Sequence, residues 1–365
     1  MDYSSHCAHE LHLDACLDAT KDWPSPRIWH IHNPALGCHP KMTALLTGLL
    51  QRGERVIQHH HDFAEDHRPQ NLHRLTQQGL PWFPFCERSH SVVLTQRDSN
   101  ILCRAGLPES QCTVLGNPLS ASPLGASMEK SPYVLVPTRA ITRKNIGELL
   151  LLAMLAAPHV RFATSQSPGI SRHQEEYAHW QALAQQWHLP IDWAVTESME
   201  HPLDFDALRK KSTHLLSTSR QEGFGLIFLE AIAWQRPLLG RRIAHIDSDL
   251  RAHGIDHPLL YDEILINDVP FGPAAFEEKT RLLRAAKEDP SVVHIVSRGK
   301  SHAAQQWLAW ALSMHQTPLP VESIAPFHPH QHAQKIADIA KQLFRAPVGE
   351  IRHLDPQKVA RGFDA

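Results

Sequence analysis

Short apolar runs alternate along this chain with stretches in which apolar residues recur three and four positions apart. The first pattern predicts buried strands and the second predicts amphipathic helices. Residues 27–33, Arg27-Ile-Trp-His-Ile-His-Asn33, read as a strand closed by a polar turn at Pro34. Residues 40–50 read as a helix that stops near Gly53, and Arg55-Val-Ile-Gln58 begins the next strand. Strand, helix and strand in that order make a βαβ unit, which requires a parallel sheet. Ligands of such sheets sit beyond the carboxyl ends of the strands. His32, Asn33, His61 and Asp62 all fall there and are candidates for a cleft. Strand alternation puts His59 and His61 on one side.

The pattern continues with a helix at 71–78, a proline-broken aromatic loop at 80–85, a strand at 91–94, a helix at 96–106 and a strand and turn at 113–118. Residues 121–132 are rich in Ser, Pro, Gly and Ala and read as a linker. Beyond it, Tyr133-Val-Leu-Val-Pro-Thr138 is a buried strand, followed by a helix from Asn145. Strands at 160–164, 191–195, 214–217 and 237–240 then alternate with helices, as in a doubly wound half. Residues 328–344 form a final helix. The expected division is an arm at 1–26, a first domain at 27–120, the linker at 121–132, a second domain at 133–325, and a helix and tail at 326–365.

Two places in the second domain carry chemistry. Gln221-Glu-Gly-Phe-Gly225 is a turn leading into a helix that runs from Leu226 to Trp234. Such a loop aims backbone N–H groups at a ligand and suits a phosphate. Glu230 sits in that helix among apolar neighbours at every i±3 and i±4 position. A buried carboxylate there needs a partner. The structural reading is a salt bridge to an Arg, and the functional reading is a ligand contact. Arg139-Ala-Ile-Thr-Arg-Lys144 places two cations five apart at a strand-to-helix turn, where they can grip both phosphates of a nucleoside diphosphate. Arg143 is a third cation without an assigned role.

The run Glu222-Gly-Phe-Gly-Leu-Ile-Phe-Leu-Glu230 resembles the E-x7-E signature of the group 1, family 4-like retaining glycosyltransferases of the GT-B fold. Arg139 and Lys144 resemble that family's Arg-x4-Lys element, with Asn145 where a Gly is usual. His61-Asp62-Phe63 resembles its His-Asp-aromatic segment. The resemblance implies an α/β fold of two Rossmann-like domains, with the last helix crossing back to the first. It implies that Glu222 meets the donor sugar and that Glu230 binds the ribose. The diphosphate would lie on the backbone of Gly223, Phe224, Gly225 and Leu226, between Arg139 and Lys144. His61 would lie near the reacting centre. The glycine-rich opening loop of such proteins is not found, so a shortened first domain is expected. The activity implied is transfer of a hexose from a nucleotide-diphosphate sugar to a glycan, lipid or metabolite acceptor. The alternatives are a catalytically impaired sugar-nucleotide-binding protein, and a phosphorylase or epimerase on the same architecture.

Composition bounds the remaining possibilities. With 365 residues the chain has room for two domains. A formal charge of −2 does not suit a nucleic-acid partner held by counterion release. No apolar run reaches the length of a membrane span and no signal peptide is read, so a cytoplasmic protein is expected. Cys7, Cys16, Cys38, Cys86, Cys103 and Cys112 form no C-x-x-C pair and are expected as reduced thiols. Histidine is the outlier at 28 residues, with clusters at His6, His9 and His12, at His59, His60 and His61, and at His328, His330 and His332. Lacking acidic or Cys ligands at a fixed pattern, these read as compositional scatter. Neither a metal nor another cofactor is expected.

Overall fold

Branched and aromatic side chains set the first strand, β1 (Ile28–His32), and a second apolar run sets β2 (Arg55–His60). Between them α1 (Met42–Gln51) buries Leu45, Leu46, Leu49 and Leu50 along one face. The computed structural model describes residues 15, 18–20, 22–24, 26–39, 41–77, 79, 82–125, 127, 129, 131–198, 203–315 and 319–364. Most of the expected arm, with His6, His9, His12, Cys7 and Cys16, lies outside them. Among the described residues Cys38, Cys86, Cys103 and Cys112 are free thiols. The chain continues through α2 (Pro69–Gln77), β3 (Pro84–Phe85), β4 (Ser89–Val93), α3 (Gln96–Arg104) and β5 (Cys112–Val114). The sheet runs β1-β2-β4-β5, and every pairing in it is parallel.

The second sheet is built from β6 (Tyr133–Arg139), α4 (Ile146–Leu155), β7 (Arg161–Gln166), α5 (Gln174–Gln186), β8 (Ile191–Asp192), α6 (Phe205–Lys211), β9 (His214–Ser217), α7 (Leu226–Trp234), β10 (Leu238–Arg241), α8 (Ala244–Ala252) and β11 (Leu260–Tyr261). Its order is β11-β10-β9-β6-β7-β8, all parallel. β9 and β10 are buried along their whole length, as strands of a sheet covered on both faces must be. The chain winds outward from β6 through β8, then returns to β9 on the other side of β6. The strand order therefore reverses between β6 and β9, and the crevice beyond their carboxyl ends is the position where open α/β sheets bind ligands.

Beyond residue 250 the structure adds what the sequence pattern did not predict. β12 (Glu263–Ile266), β13 (Val269–Pro270), α9 (Phe276–Glu288), β14 (Val293–Ser297), β15 (Lys300–Ala303) and α10 (Ala304–Leu312) follow. The four strands form an antiparallel sheet. Ile264, Ile266, Val293 and Ile295 pack into one core with the leucines of α4. The expected linker is also tied down. Ser122 N donates to Ala233 O at 3.2 Å, and Arg236 Nη2 donates to Gly125 O at 2.9 Å.

The chain ends in α11 (Pro329–Arg345), β16 (Arg352–His353) and α12 (Pro356–Asp364). β16 pairs antiparallel with β3, Arg352 opposite Phe85. The expected loop at 80–85 thus contains a two-residue strand, which tolerates Pro84 because proline is accepted on short edge strands. Val359 and Phe363 of α12 join Phe63, Phe83 and Phe85 in a core. Two compact units result, Met1–Pro118 with Phe327–Ala365, and Leu119–Pro326.

Within the second unit α4 is apolar on all sides, yet it contains Glu148, which is fully buried. Arg241 Nη2 meets Glu148 Oε2 at 2.6 Å and Glu263 Oε1 at 2.6 Å. Tyr261 Oη and Asn145 Nδ2 donate to the same Glu148 carboxylate. The network ties α4 to β10, β11 and the antiparallel sheet. Glu148→Ala leaves a buried guanidinium with one carboxylate in place of two, so it should cost about 3 kcal/mol. Urea unfolding followed by tryptophan fluorescence measures this, and a loss well under about 1 kcal/mol would mean that Glu263 alone holds Arg241.

Candidate active site

The reversal of strand order brings two turns together at the carboxyl ends of β6 and β9. One is the 3-10 turn Thr142–Lys144, and the other begins at Thr218 and Ser219, both buried. Asn145 ends the first turn in the left-handed conformation, φ 54° and ψ 52°, which asparagine accepts more readily than most residues. Thr218 Oγ1 donates to Lys144 O at 2.7 Å and Arg220 N donates to Arg143 O at 3.1 Å, so the two turns are joined by hydrogen bonds.

Glu222 is the charge at their centre and is 8% exposed. Its carboxylate pairs with Lys144, and its Oε2 accepts from Arg143 Nη1 at 2.8 Å. Burial pushes the carboxyl upward, but Lys144, Arg143 and a hydrogen bond from Ser219 outweigh it and hold Glu222 below the ordinary glutamate value. Burial works against the charge on Lys144 as well, and Glu222 compensates it in part. Ser219 and Arg143 are contributors that sequence reasoning missed. Arg143 was legible only as a basic residue beside Lys144.

Gly225 begins α7 with φ 73° and ψ 54°. A Cβ there would lie 2.7 Å from the Phe228 ring and 3.0 Å from Ile246, so only glycine fits on both conformational and steric grounds. Gly223, Phe224 and Leu226 are half-buried beside it. The first N–H groups of a helix have no intrahelical partner and carry its positive end, so this loop can receive an anion. A ring nitrogen of His245 on α8 donates to Glu222 O at 3.1 Å and braces the loop from behind.

α7 buries Phe228, Leu229 and residues 231–234, leaving Leu226, Ile227 and Glu230 half-buried on one side. Glu230 has no ion pair or hydrogen bond among the described residues, so the salt bridge of the structural reading is not formed there. Burial raises its pKa to about 7, with Lys144 and Arg209 pulling weakly the other way. A cavity of about 30 Å³ at the switch point is lined by Thr138, Lys144, Ser217, Ser219 and Ile227. A larger hollow of about 520 Å³, lined by Gln166, Thr196, Glu197, Asp204 and Phe205, shares Pro137 with it. Phe205 meets Trp234, one turn beyond Glu230, with ring centroids 5.9 Å apart. Arg139 stands at the exposed end of β6 with its guanidinium close over Gly169. Among the described residues it shares no partner with Lys144; Arg143 does.

In the first unit, parallel pairing of β1 and β2 sets His32 level with His59. His61 follows β2, its Nε2 2.7 Å from His32 Nδ1 and its Nδ1 3.2 Å from Asn117 Oδ1. Asn33 adopts φ 52°, and its Oδ1 accepts from His61 N and Asp62 N at 2.7 and 3.1 Å, so it fixes the turn. Asp62 pairs with Arg68 at 2.6 Å. Alternation holds: His59 and His61 stack with centroids 4.2 Å apart, while His60 turns inward against Phe63 and Phe83. Instead of scatter, His30, His32, His59, His61 and His332 form one group of rings. Burial and mutual repulsion hold His30 down to about 4 and His59 to about 2; burial lowers His32, and burial with repulsion from His32 lowers His61 and His332.

No protein-family model matches the chain. A curated relative, mannosylglucosyl-3-phosphoglycerate synthase of Petrotoga mobilis, is 23% identical over 302 residues. The match takes in 76% of this chain and spans 57% of that protein's length. Sucrose-phosphate synthase from Thermosynechococcus elongatus superimposes with a TM-score of 0.54 at 14% identity, covering 91% of this chain and 77% of that one. HepE from Anabaena, in complex with UDP-glucose, gives 0.56 at 13% identity, covering 90% and 81%. These likenesses are of architecture, and the architecture is the GT-B fold of glycosyltransferases, with two Rossmann-like domains.

Proposed function

We propose that the chain is a retaining glycosyltransferase that moves a hexose from a nucleoside-diphosphate sugar to an acceptor hydroxyl, and that its second unit holds the donor. The observation that carries this reading is the pair of differently prepared glutamates at the switch point. Glu222 is fixed and ionised by Lys144 and Arg143, and Glu230 is half-buried with no partner among the described residues. A carboxylate left without a partner beside a cation and a helix N-terminus suits a ligand rich in hydroxyls and phosphate. Glu230 accepts the two ribose hydroxyls, and the hollow beside Phe205 takes the base. The diphosphate lies on the amides of Gly223, Phe224, Gly225 and Leu226, with Lys144 and Arg139 as its cations. Glu222 meets the sugar. HepE's complex with UDP-glucose and its complex with UDP and glucose support a donor of this class.

In the chemistry this arrangement suits, the bond from the sugar C1 to the diphosphate breaks as the acceptor oxygen bonds to C1 from the same face. The acceptor proton passes to the departing phosphate oxygen. Lys144, Arg139 and the positive end of α7 stabilise the charge that develops on the leaving group. His61, in the first unit, is assigned to the reacting centre. The curated relative's name makes 3-phosphoglycerate glycosides the first acceptors to try.

Calorimetry with UDP and GDP tests the cations. Lys144→Ala and Arg139→Ala should each weaken binding by about 1.5–3 kcal/mol, roughly tenfold to a hundredfold. Arg143→Ala should cost less, because its guanidinium is more exposed than the Lys144 ammonium. Unchanged affinity in both of the first two variants removes the diphosphate clamp.

Glu230 sets a pH dependence. Its folded pKa lies above the unfolded value, so its charge opposes folding as pH rises through this range, and that same charge is what accepts the ribose hydroxyls. Nucleotide affinity should therefore rise between pH 6 and pH 8, and Glu230→Gln should flatten the profile, weaken binding at pH 8 and raise the melting temperature there. A variant that melts higher yet binds with the parent's affinity and pH profile would show a residue without a ligand role.

His61→Ala should lower turnover of the sugar nucleotide roughly a hundredfold, with donor affinity nearly unchanged, as expected of a group acting in the transition state. Equal kcat for variant and parent would place His61 outside the reacting centre.

A further inference from the structure

The histidine group belongs to the first unit, whereas the proposed donor residues belong to the second. One ligating nitrogen from each of His30, His32 and His59 lies within 4.8 Å of the other two. His30 Nε2 and His59 Nδ1 are 3.2 Å apart. Two nitrogens bound to one tetrahedral ion at about 2.0–2.1 Å stand about 3.3 Å apart, so this pair already has the separation of neighbouring ligands.

Hydrogen bonding among the rings does not satisfy them. If His59 Nδ1 donates to His30, its Nε2 is a buried lone pair without a donor. If His30 donates, His59 Nε2–H is a buried donor without an acceptor. Either tautomer leaves His59 Nε2 unpartnered among the described residues. His332, stacked on His59 with centroids 5.9 Å apart, also has an unpartnered Nε2. Buried polar atoms nearly always have a partner, so the close His30–His59 contact is a poor hydrogen-bonding solution for these rings in either tautomer. The strands explain how the site is built. Parallel pairing brings His32 beside His59, and alternation puts His30 on the same side, so the ligands come from rigid strands.

We propose that His30, His32 and His59 form a three-imidazole site for a divalent first-row transition metal ion of the zinc type, with solvent completing the coordination. No carboxylate belongs to the group, and the nearby Asp62 is committed to Arg68. Hard cations such as Mg²⁺ and Ca²⁺, which require oxygen ligands, are therefore excluded, whereas Zn²⁺, Co²⁺ and Ni²⁺ fit.

The test uses the full chain without an affinity tag. Zn²⁺ is titrated against a chromophoric chelator, and Co²⁺ is followed by its visible absorption. The expected result is one equivalent of tightly held Zn²⁺, Co²⁺ bands of a nitrogen-ligated ion of low coordination number, and no competition from Mg²⁺ or Ca²⁺. His30→Gln and His32→Gln, both at exposed positions, should each lower Zn²⁺ affinity roughly tenfold or more and diminish the Co²⁺ bands. His328→Gln and His330→Gln, on exposed parts of the C-terminal segment, control for adventitious binding and should change neither. Circular dichroism confirms that each variant is folded. Absence of stoichiometric Zn²⁺ binding overturns the proposal, and so does equal affinity in the folded His30→Gln, His32→Gln double variant.

Discussion

A carboxylate buried where the strand order reverses holds together two turns that no backbone ladder joins. Glu222 gives up water, at a cost of several kcal/mol for an isolated charge, and recovers it from Lys144, Arg143 and Ser219. The two cations come from the turn after β6, and the carboxylate and hydroxyl come from the turn after β9. That cluster of charge acts with the hydrogen bonds from Thr218, Arg220 and His245 to set the position of Lys144 and the entry to α7. The left-handed Asn145 and Gly225 let each turn bend sharply enough to reach it.

Two other glutamates show how the same residue serves opposite ends. Glu148 and Glu230 both sit in helices that are apolar nearly all round. Glu148 is saturated by Arg241, Tyr261 and Asn145, and binds the core together. Glu230, among the described residues, has nothing to accept from, and its pKa rises accordingly. The distinction is one of partners, and partners come from distant parts of the chain. Arg241 and Arg242 are adjacent in sequence, yet the first pairs with Glu148 and Glu263 and the second with Asp247 and Asp262.

That contrast marks what the sequence makes legible. Most strands and helices of the two parallel sheets follow from apolar runs, periodicity and glycine stops, and those local signals also locate the loop before α7 and the turn before α4; α8, β11 and the shortness of β8 do not. The antiparallel sheet is harder to read because β12 and β13 are short and Glu263-Ile-Leu-Ile266 lacks clean alternation. The pairing of β16 with Pro84–Phe85 joins residues far apart in the chain, and nothing local announces it. The histidines divide the same way. Alternation tells which of His59, His60 and His61 share a side. The register that adds His30 and His32, and the packing of α11 that adds His332, are tertiary facts.

The raised pKa of Glu230 also has a calorimetric consequence. Burial thus keeps a proton on this carboxyl to higher pH than on an ordinary glutamate. A ribose diol that donated both hydroxyls to Glu230, as proposed, would select the ionised form, so binding would release protons to the solution. The heat of binding would then include the ionisation enthalpy of whatever buffer takes those protons up. The same nucleotide would show different apparent enthalpies in phosphate and in Tris while its free energy of binding stayed the same.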